Sequence, residues 1–220
     1  STLVLAGSTG AQLHVLSLAS EENMMTGEVT NSETRIELPQ MTEKVKALYI
    51  DPRQQWLYVI NGRAQADVFS LRDKSLNGRY KLAEDATTEI TASTQLVGGI
   101  SLILGDSTGS LSQWFMARDP DGEQRFKHIR SFKMGDSPIV EITAEQRRKG
   151  FLALDAAGEI GVFHSTAHRT LLVEKVAEGP GIMALSPRAN RIIVEEGGKL
   201  LPLTLKNPHP EVSWSALWSK

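Results

Sequence analysis

Cysteine is absent from the 220 residues of this chain. The chain therefore has no disulfide framework, no thiolate zinc site and no thiol nucleophile. The absence leaves the redox compartment open, because a cysteine-free chain suits either side of a membrane. A chain of this length can bury enough apolar surface to form one or two domains without a disulfide or a metal.

The chain also lacks an excess of charge of either sign and lacks a long apolar run. Its 24 Lys and Arg residues nearly balance its 26 Asp and Glu residues, and the net charge is −2. A basic face for nucleic acid is therefore not expected. No run approaches the roughly 18 apolar residues of a membrane-spanning helix, and no signal peptide is recognisable. The apolar run 3–6 follows Ser1 almost at once, which predicts a fragment of a longer protein.

What the sequence does contain is a repeat. A short apolar run, a turn rich in Gly, Asp, Asn or Ser, and a second alternating apolar run recur five times. Each copy predicts a β-hairpin, because these turn residues tolerate the backbone angles of a tight turn. The five copies are residues 3–18, 57–71, 102–116, 152–163 and 192–203.

Further predicted strands flank these hairpins. Leading strands are expected at 45–50, 90–93, 139–142 and 182–185, and closing strands at 79–82, 126–129 and 171–174. Two of the leading strands end in Asp-Pro or Ser-Pro, where proline fixes φ for a turn. Four short strands in roughly 40–50 residues are typical of a propeller blade.

The sequence therefore predicts an all-β, β-propeller-like array of four-stranded antiparallel blades with about five hairpin repeats. The array spans residues 1–206, and its repeats lie near 1–40, 44–84, 88–134, 137–177 and 181–206. The first repeat lacks a leading strand and the last lacks a closing strand, so the ends are incomplete or close in an unusual way. Residues 19–40 predict an outer strand plus a loop, and residues 207–220 predict a C-terminal tail.

The segment Gly105-Asp106-Ser107-Thr108-Gly109 matches the G-x-S-x-G pattern of a nucleophile elbow. In that motif a strand-to-helix turn exposes the serine, which would make Ser107 the nucleophile of a hydrolase. Here a strand-like segment follows, and other repeats carry residues 7–10 or 155–158 at the same place. We therefore expect a hairpin turn and assign no catalytic residue. The turns also lack the lysine and helix of a phosphate-binding loop, which leaves anion binding by their backbone N–H groups as an alternative.

His164 and His168 stand four residues apart, which is the spacing of shared metal ligands on a helix. They flank a predicted turn, and no further ligands follow at a fixed spacing. We therefore expect turn and surface histidines, and we assign no metal site and no cofactor.

Two charged stretches are candidates for a basic patch. Residues 145–149 are interpreted as a solvated loop, because the stretch is too short for a nucleic-acid footprint. A looser cationic cluster lies on one predicted outer strand, where charge discourages edge-to-edge pairing. Its members are Arg125, Lys127, Arg130 and Lys133.

Four tryptophans fall into two groups. Trp56 and Trp114 lie in predicted strands and are expected in the core. Trp214 and Trp218 follow the proline-containing segment 207–211, which is neither regular helix nor central strand. They predict a tail that packs back on the domain or an element near a membrane surface, where tryptophan is enriched.

This tail carries a family resemblance. The segment Asn207-Pro208-His209-Pro210-Glu211-Val212-Ser213-Trp214, continued by residues 216–220, resembles the stretch before the membrane core of the long proteobacterial phosphate-specific ABC transporter permease. Residues 163–172 and 184–188 are similar to the same family. In those permeases a large extracytoplasmic insertion with WD40-like repeats follows the first transmembrane helix.

The resemblance implies a periplasmic domain on the outer side of the bacterial inner membrane. The implied partners are the other transporter subunits, with the periplasmic phosphate-binding protein as a candidate. No nucleic acid is implied, and a membrane is implied only through the parent permease. No phosphate site transfers, because in such transporters a separate periplasmic protein binds phosphate and cytoplasmic subunits supply the energy.

From the repeats and the resemblance together we expect a non-enzymatic interaction or regulatory module. One alternative is a sensor that holds phosphate or a phosphorylated compound at a central channel. The other alternative is a hydrolase that uses Ser107.

Overall fold

The computed structural model describes residues 2–5, 13–38, 43–146, 149–186 and 191–204. Strands and turns account for all regular structure in these residues, and no helix occurs among them. The predicted all-β class is confirmed for this part of the chain. Within the same ranges, no helix has the length and apolar character needed to cross a membrane.

The strands form five antiparallel sheets, each a meander in chain order. Sheet 1 contains β1 (Thr2–Leu5), β2 (His14–Glu22) and β3 (Val29–Glu37), and sheet 2 contains β4 (Val45–Ile50), β5 (Trp56–Asn61), β6 (Gln65–Ser70) and β7 (Ser75–Lys81). Sheet 3 contains β8 (Ile90–Gln95), β9 (Leu102–Asp106), β10 (Ser110–Arg118) and β11 (Gln124–Lys133). Sheet 4 contains β12 (Ile139–Ala144), β13 (Gly150–Asp155), β14 (Glu159–His164) and β15 (Arg169–Lys175), and sheet 5 contains β16 (Ile182–Leu185), β17 (Arg191–Glu196) and β18 (Lys199–Thr204).

The predicted strands are confirmed, with bounds that move by a few residues. The five hairpins are β1–β2, β5–β6, β9–β10, β13–β14 and β17–β18. The outer strand expected within 19–40 is β3. In the described part of the chain, sheets 1 and 5 each contain three strands.

The chain divides into two compact units, Ser1–Ala83 and Glu84–Lys220. In the first unit, sheets 1 and 2 share an apolar core. Its buried side chains are Leu13, Val15, Leu38, Leu57, Val59 and Phe69. Half of these residues are β-branched or aromatic and the other half are leucine, and all six supply the apolar face of a pleated sheet.

In the second unit, sheet 4 lies between two apolar clusters. One cluster joins it to sheet 3 through Phe132, Phe151 and Phe163, whose ring centroids are 5.0–5.5 Å apart. The other cluster joins it to sheet 5 and includes Leu154 and Ile192. All six residues of β13 are buried for this reason. The leading strand β12 lies beside β8 and β9 of sheet 3 and beside β16 of sheet 5.

Candidate functional site

One turn geometry recurs in sheets 2, 3 and 4. The second strand of each sheet ends in Asn61, Asp106 or Asp155. The side-chain Oδ1 of that residue accepts hydrogen bonds from the backbone N–H groups two and four residues later, at 2.8–3.2 Å. Asn and Asp favour such turns because their short side chains reach the backbone just ahead.

Counted from the Asn or Asp, the fourth residue of each recurring turn has a positive φ, and its carbonyl group accepts a hydrogen bond. This residue is Ala64, Gly109 or Gly158, with φ of 49°, 81° and 83°. Its carbonyl oxygen accepts the N–H of the residue that follows the fourth strand, at 2.7 Å from Leu82, 3.1 Å from Met134 and 2.9 Å from Val176. The chain leaving each sheet is thus bound to that sheet's own hairpin turn.

Ser107 lies inside the recurring turn of sheet 3. Its Oγ accepts a hydrogen bond from the backbone N–H of Glu89 at 3.1 Å, and its own N–H donates to the Glu89 carbonyl at 2.9 Å. The turn leads into strand β10, so the predicted hairpin is confirmed. Among the described residues, no histidine is hydrogen-bonded to Ser107. The geometry gives this serine a structural role in the turn.

In the turns of sheets 3 and 4 the backbone N–H groups already have acceptors within the chain. In sheets 3 and 4 the acceptor is a carboxylate, of Asp106 or Asp155. A carboxylate in that position repels a phosphate ion that approaches the same N–H groups. Residues 7–10, the matching turn of the first repeat, lie outside the described residues.

One buried polar atom in this region stands out. Asp155 is fully buried, and its Oδ2 has no hydrogen-bond partner, while its Oδ1 holds the turn. At the equivalent position in sheet 2, the neutral amide oxygen of Asn61 accepts the same two backbone hydrogen bonds. In the described part of the chain, no group of three or more His, Asp or Glu side chains is arranged to hold a metal ion.

His164 and His168 bracket the turn between β14 and β15, as the sequence predicts. His164 Nδ1 accepts the N–H of Ala167 at 2.9 Å, and His168 Nε2 lies 2.8 Å from the carbonyl oxygen of Ser131. Each ring therefore makes its own contact with the backbone. Burial, and then the positive charge of Arg130, lower the pKa of His164 below its usual value.

The cationic cluster of β11 is paired with nearby acceptors. Arg125 contacts Asp119 at 2.7 Å and Glu123 at 2.7 Å, and Lys127 also pairs with Asp119. These contacts close the β10–β11 hairpin. Further along the strand, Lys133 Nζ donates to the Thr108 carbonyl at 2.6 Å and lies 3.2 Å from Asp136, and the Arg130 guanidinium donates to the Ser165 carbonyl. The cluster is therefore tied to its own sheet and to the neighbouring turn.

The interpretation of residues 145–149 as a solvated loop is wrong for Glu145, which is buried beside Gly150. Lys149 is exposed and donates to the Val97 carbonyl at 2.8 Å. Residues 147 and 148 lie outside the described part of the chain. Of the two tryptophans expected in the core, Trp114 is buried in sheet 3 and stacks on Phe126 at a centroid distance of 5.3 Å, whereas Trp56 at the start of β5 is only half-buried. Trp214 and Trp218 also fall outside that part.

The sequence reasoning missed one surface. Strands β2 and β3 extend beyond the core as a two-stranded ribbon, and we call its residues 19–35 the acidic hairpin. Every residue in it is exposed. The adjacent Met24 and Met25, in an otherwise polar stretch, were the available signal, because solvated hairpin tips are normally polar.

Comparison with protein-family models finds no match for this chain. Comparison with curated proteins likewise finds none.

Proposed function

We propose that this chain is a non-catalytic, β-propeller-like interaction module on the periplasmic side of a phosphate ABC transporter permease. The recurring turn is the observation that supports a non-catalytic role. Its side-chain oxygens, backbone N–H groups and the Ser107 hydroxyl bond within the chain. Such turns build a scaffold, and a scaffold of repeated sheets serves to present a surface.

The propeller-like arrangement is supported by the leading strands of the second unit. Strand β12 lies beside both β8 and β16. In a propeller the first strand of each blade lines the central channel next to the first strands of its neighbours. Meanders of four strands with buried middle strands and exposed closing strands fit the same architecture.

The transporter context rests on the resemblance of residues 207–220, 163–172 and 184–188 to the permease family. In this setting the module stands at the periplasmic mouth of the permease and binds another subunit. The periplasmic phosphate-binding protein is the partner we propose, because it must dock at that mouth to deliver phosphate.

The proposal is tested by titrating the purified chain with the phosphate-binding protein from the same bacterium, with and without phosphate, and measuring mass by light scattering. We expect a complex. An unrelated periplasmic protein of similar charge is the control. A lack of any complex at millimolar concentration, or equal binding to the control, would overturn this partner. Heat measured by calorimetry when the chain is titrated with phosphate alone would instead support the sensor alternative. A hydrolytic activity that is lost in Ser107→Ala would support the hydrolase alternative.

A further inference from the structure

We propose that the acidic hairpin is a docking element that inserts Met24 and Met25 into an apolar pocket framed by lysine or arginine on a partner protein. The proposal concerns the surface that the module uses. It holds whether or not the chain belongs to a phosphate importer, because it rests only on residues 19–35.

The two methionines are presented to solvent almost completely. Met24 is 97% exposed and Met25 is 95% exposed, and Val29 beside them is 55% exposed. Exposed apolar side chains that cluster at one projecting point mark interaction sites more often than scattered ones do. Methionine suits this role because its unbranched, polarisable side chain adapts to the shape of a pocket.

The turn that carries the methionines is well ordered by hydrogen bonds. The Asn23 carbonyl accepts the N–H of Gly27 at 2.7 Å and that of Thr26 at 3.2 Å. Asn23 Oδ1 accepts the N–H of Met25 at 2.9 Å. Gly27 provides the positive φ of 70° that the turn requires. The backbone positions of Met24 and Met25 are therefore fixed within the turn, while their flexible side chains can adapt to the shape of a pocket.

The charge of the hairpin selects the partner. Glu21, Glu22, Glu28 and Glu33 lie in it, and no lysine or arginine occurs before Arg35. In the described part of the chain, none of these four carboxylates takes part in an ion pair. A basic rim on the partner would pair with them. The same charge repels an anionic membrane surface and a second copy of this hairpin.

The experiment uses the intact chain labelled with ¹³C at the methionine ε-methyl groups. The sequence has 6 methionines, and the signals of Met24 and Met25 are assigned by their loss in Met24→Ser and Met25→Ser. The probe is a synthetic leucine–lysine peptide that presents an apolar stripe flanked by ammonium groups. Vesicles of phosphatidylglycerol and of phosphatidylcholine are the membrane probes.

We expect the peptide to shift the Met24 and Met25 signals, with affinity that falls as salt is added. The double variant Met24→Ser/Met25→Ser should weaken binding by about tenfold or more. Replacing Glu21, Glu22, Glu28 and Glu33 by glutamine should remove most of the salt dependence. The matched control is Ile100→Ser, because Ile100 is 59% exposed on a different turn, and this variant should bind normally.

Four results would overturn the proposal. The first is a peptide titration that leaves both methionine signals unchanged. The second is an equal loss of affinity in Ile100→Ser and in the double methionine variant. The third is a response of the methionine signals to either kind of vesicle, which would make the occupant a membrane. The fourth is a shift of the methionine signals when the chain alone is concentrated, which would make the occupant a second copy of this chain. Unchanged thermal unfolding of each variant shows that the substituted chains remain folded.

Discussion

At the scale of single residues, the recurring turns depend on a side-chain oxygen and not on a charge. Asn61 accepts the two backbone N–H groups of its turn as Asp106 and Asp155 do. A hydrogen bond of this kind contributes on the order of 1 kcal/mol. The carboxylates make the same two bonds at 2.8–3.0 Å, against 3.0–3.2 Å for the Asn61 amide, as expected for a charged acceptor. Burying a carboxylate costs free energy at Asp155, whose Oδ2 has no partner.

His164 gives a pH dependence with a definite sign. Its folded-state pKa lies below the usual 6.5, because burial and then Arg130 disfavour the imidazolium. Above pH 6.5 the ring is neutral in both states and the free energy of unfolding does not change. As pH falls below 6.5 the unfolded chain binds the proton first, so stability falls until the folded-state pKa is passed. Protonation also removes the acceptor of the Ala167 N–H.

The measurement is urea unfolding between pH 7.5 and pH 4.5, compared with His164→Asn, which keeps an acceptor for the Ala167 N–H but does not titrate. The loss of stability with falling pH should be steeper in the original chain. The other histidines and the carboxylates contribute equally to both curves, so their difference isolates His164. Parallel curves would contradict the assignment.

At the scale of elements, the turn and the strand that leaves the sheet fit together through glycine. A Cβ at Gly158 would collide with the backbone of Ala177, and a Cβ at Gly109 would collide with that of Gly135. The close approach allows the Gly158 carbonyl to accept the N–H groups of Val176 and Ala177. Each closing strand is thereby fixed to its own hairpin before the next sheet begins.

Gly158→Ala and Gly122→Ala separate this close approach from backbone strain. The two glycines have φ of 83° and 89°, so alanine pays a similar conformational cost of about 1–2 kcal/mol at either position. Nothing lies within 4 Å of a Cβ at Gly122. We expect Gly158→Ala to lower the free energy of unfolding by a further ~1–3 kcal/mol because backbone atoms must move. Equal losses in denaturant unfolding would show that the Ala177 approach is unimportant.

The sequence predicts the strands well because both signals that define them are local. An apolar run and a turn such as Asp155–Gly158 are read within a few residues. The closing contact of the turn is not local. Val176 lies far along the chain from Gly158, and nothing near either residue indicates the pairing. The burial of Glu145 was missed for the same reason, because the fold brings it beside Gly150.

The acidic hairpin was missed for a different reason, because its strands carry no apolar pattern. Strand β2 continues to Glu22 although its apolar alternation ends near Leu18. The ladder to β3 is held by backbone hydrogen bonds and by the Asn23 turn, whose residues resemble an ordinary polar loop. Hydrophobic periodicity cannot mark a strand that has no buried face. Hydrophobic alternation therefore does not mark this surface, and the adjacent Met24 and Met25 are its only sequence signal.

At the scale of the whole molecule, stability is expected to be uneven within each unit. In the second unit, β13 is buried along its full length and lies between two apolar clusters, whereas most of β15 is exposed. In the first unit, β5 and β6 are buried along nearly their full length, whereas the acidic hairpin contacts solvent on both faces. Segments with few buried apolar contacts open locally without global unfolding.

Hydrogen exchange measured by mass spectrometry tests this distribution. Amides of β13 and β14 should exchange slowest in the second unit, and those of β5 and β6 slowest in the first, because their opening requires loss of an apolar core. Amides of residues 19–35 should exchange orders of magnitude faster than those of β5, since a two-stranded ribbon without a buried face is only marginally stable. Protection in the hairpin equal to that of β5 would show that residues 19–35 are buried in solution. That result would also contradict their role as a free docking element.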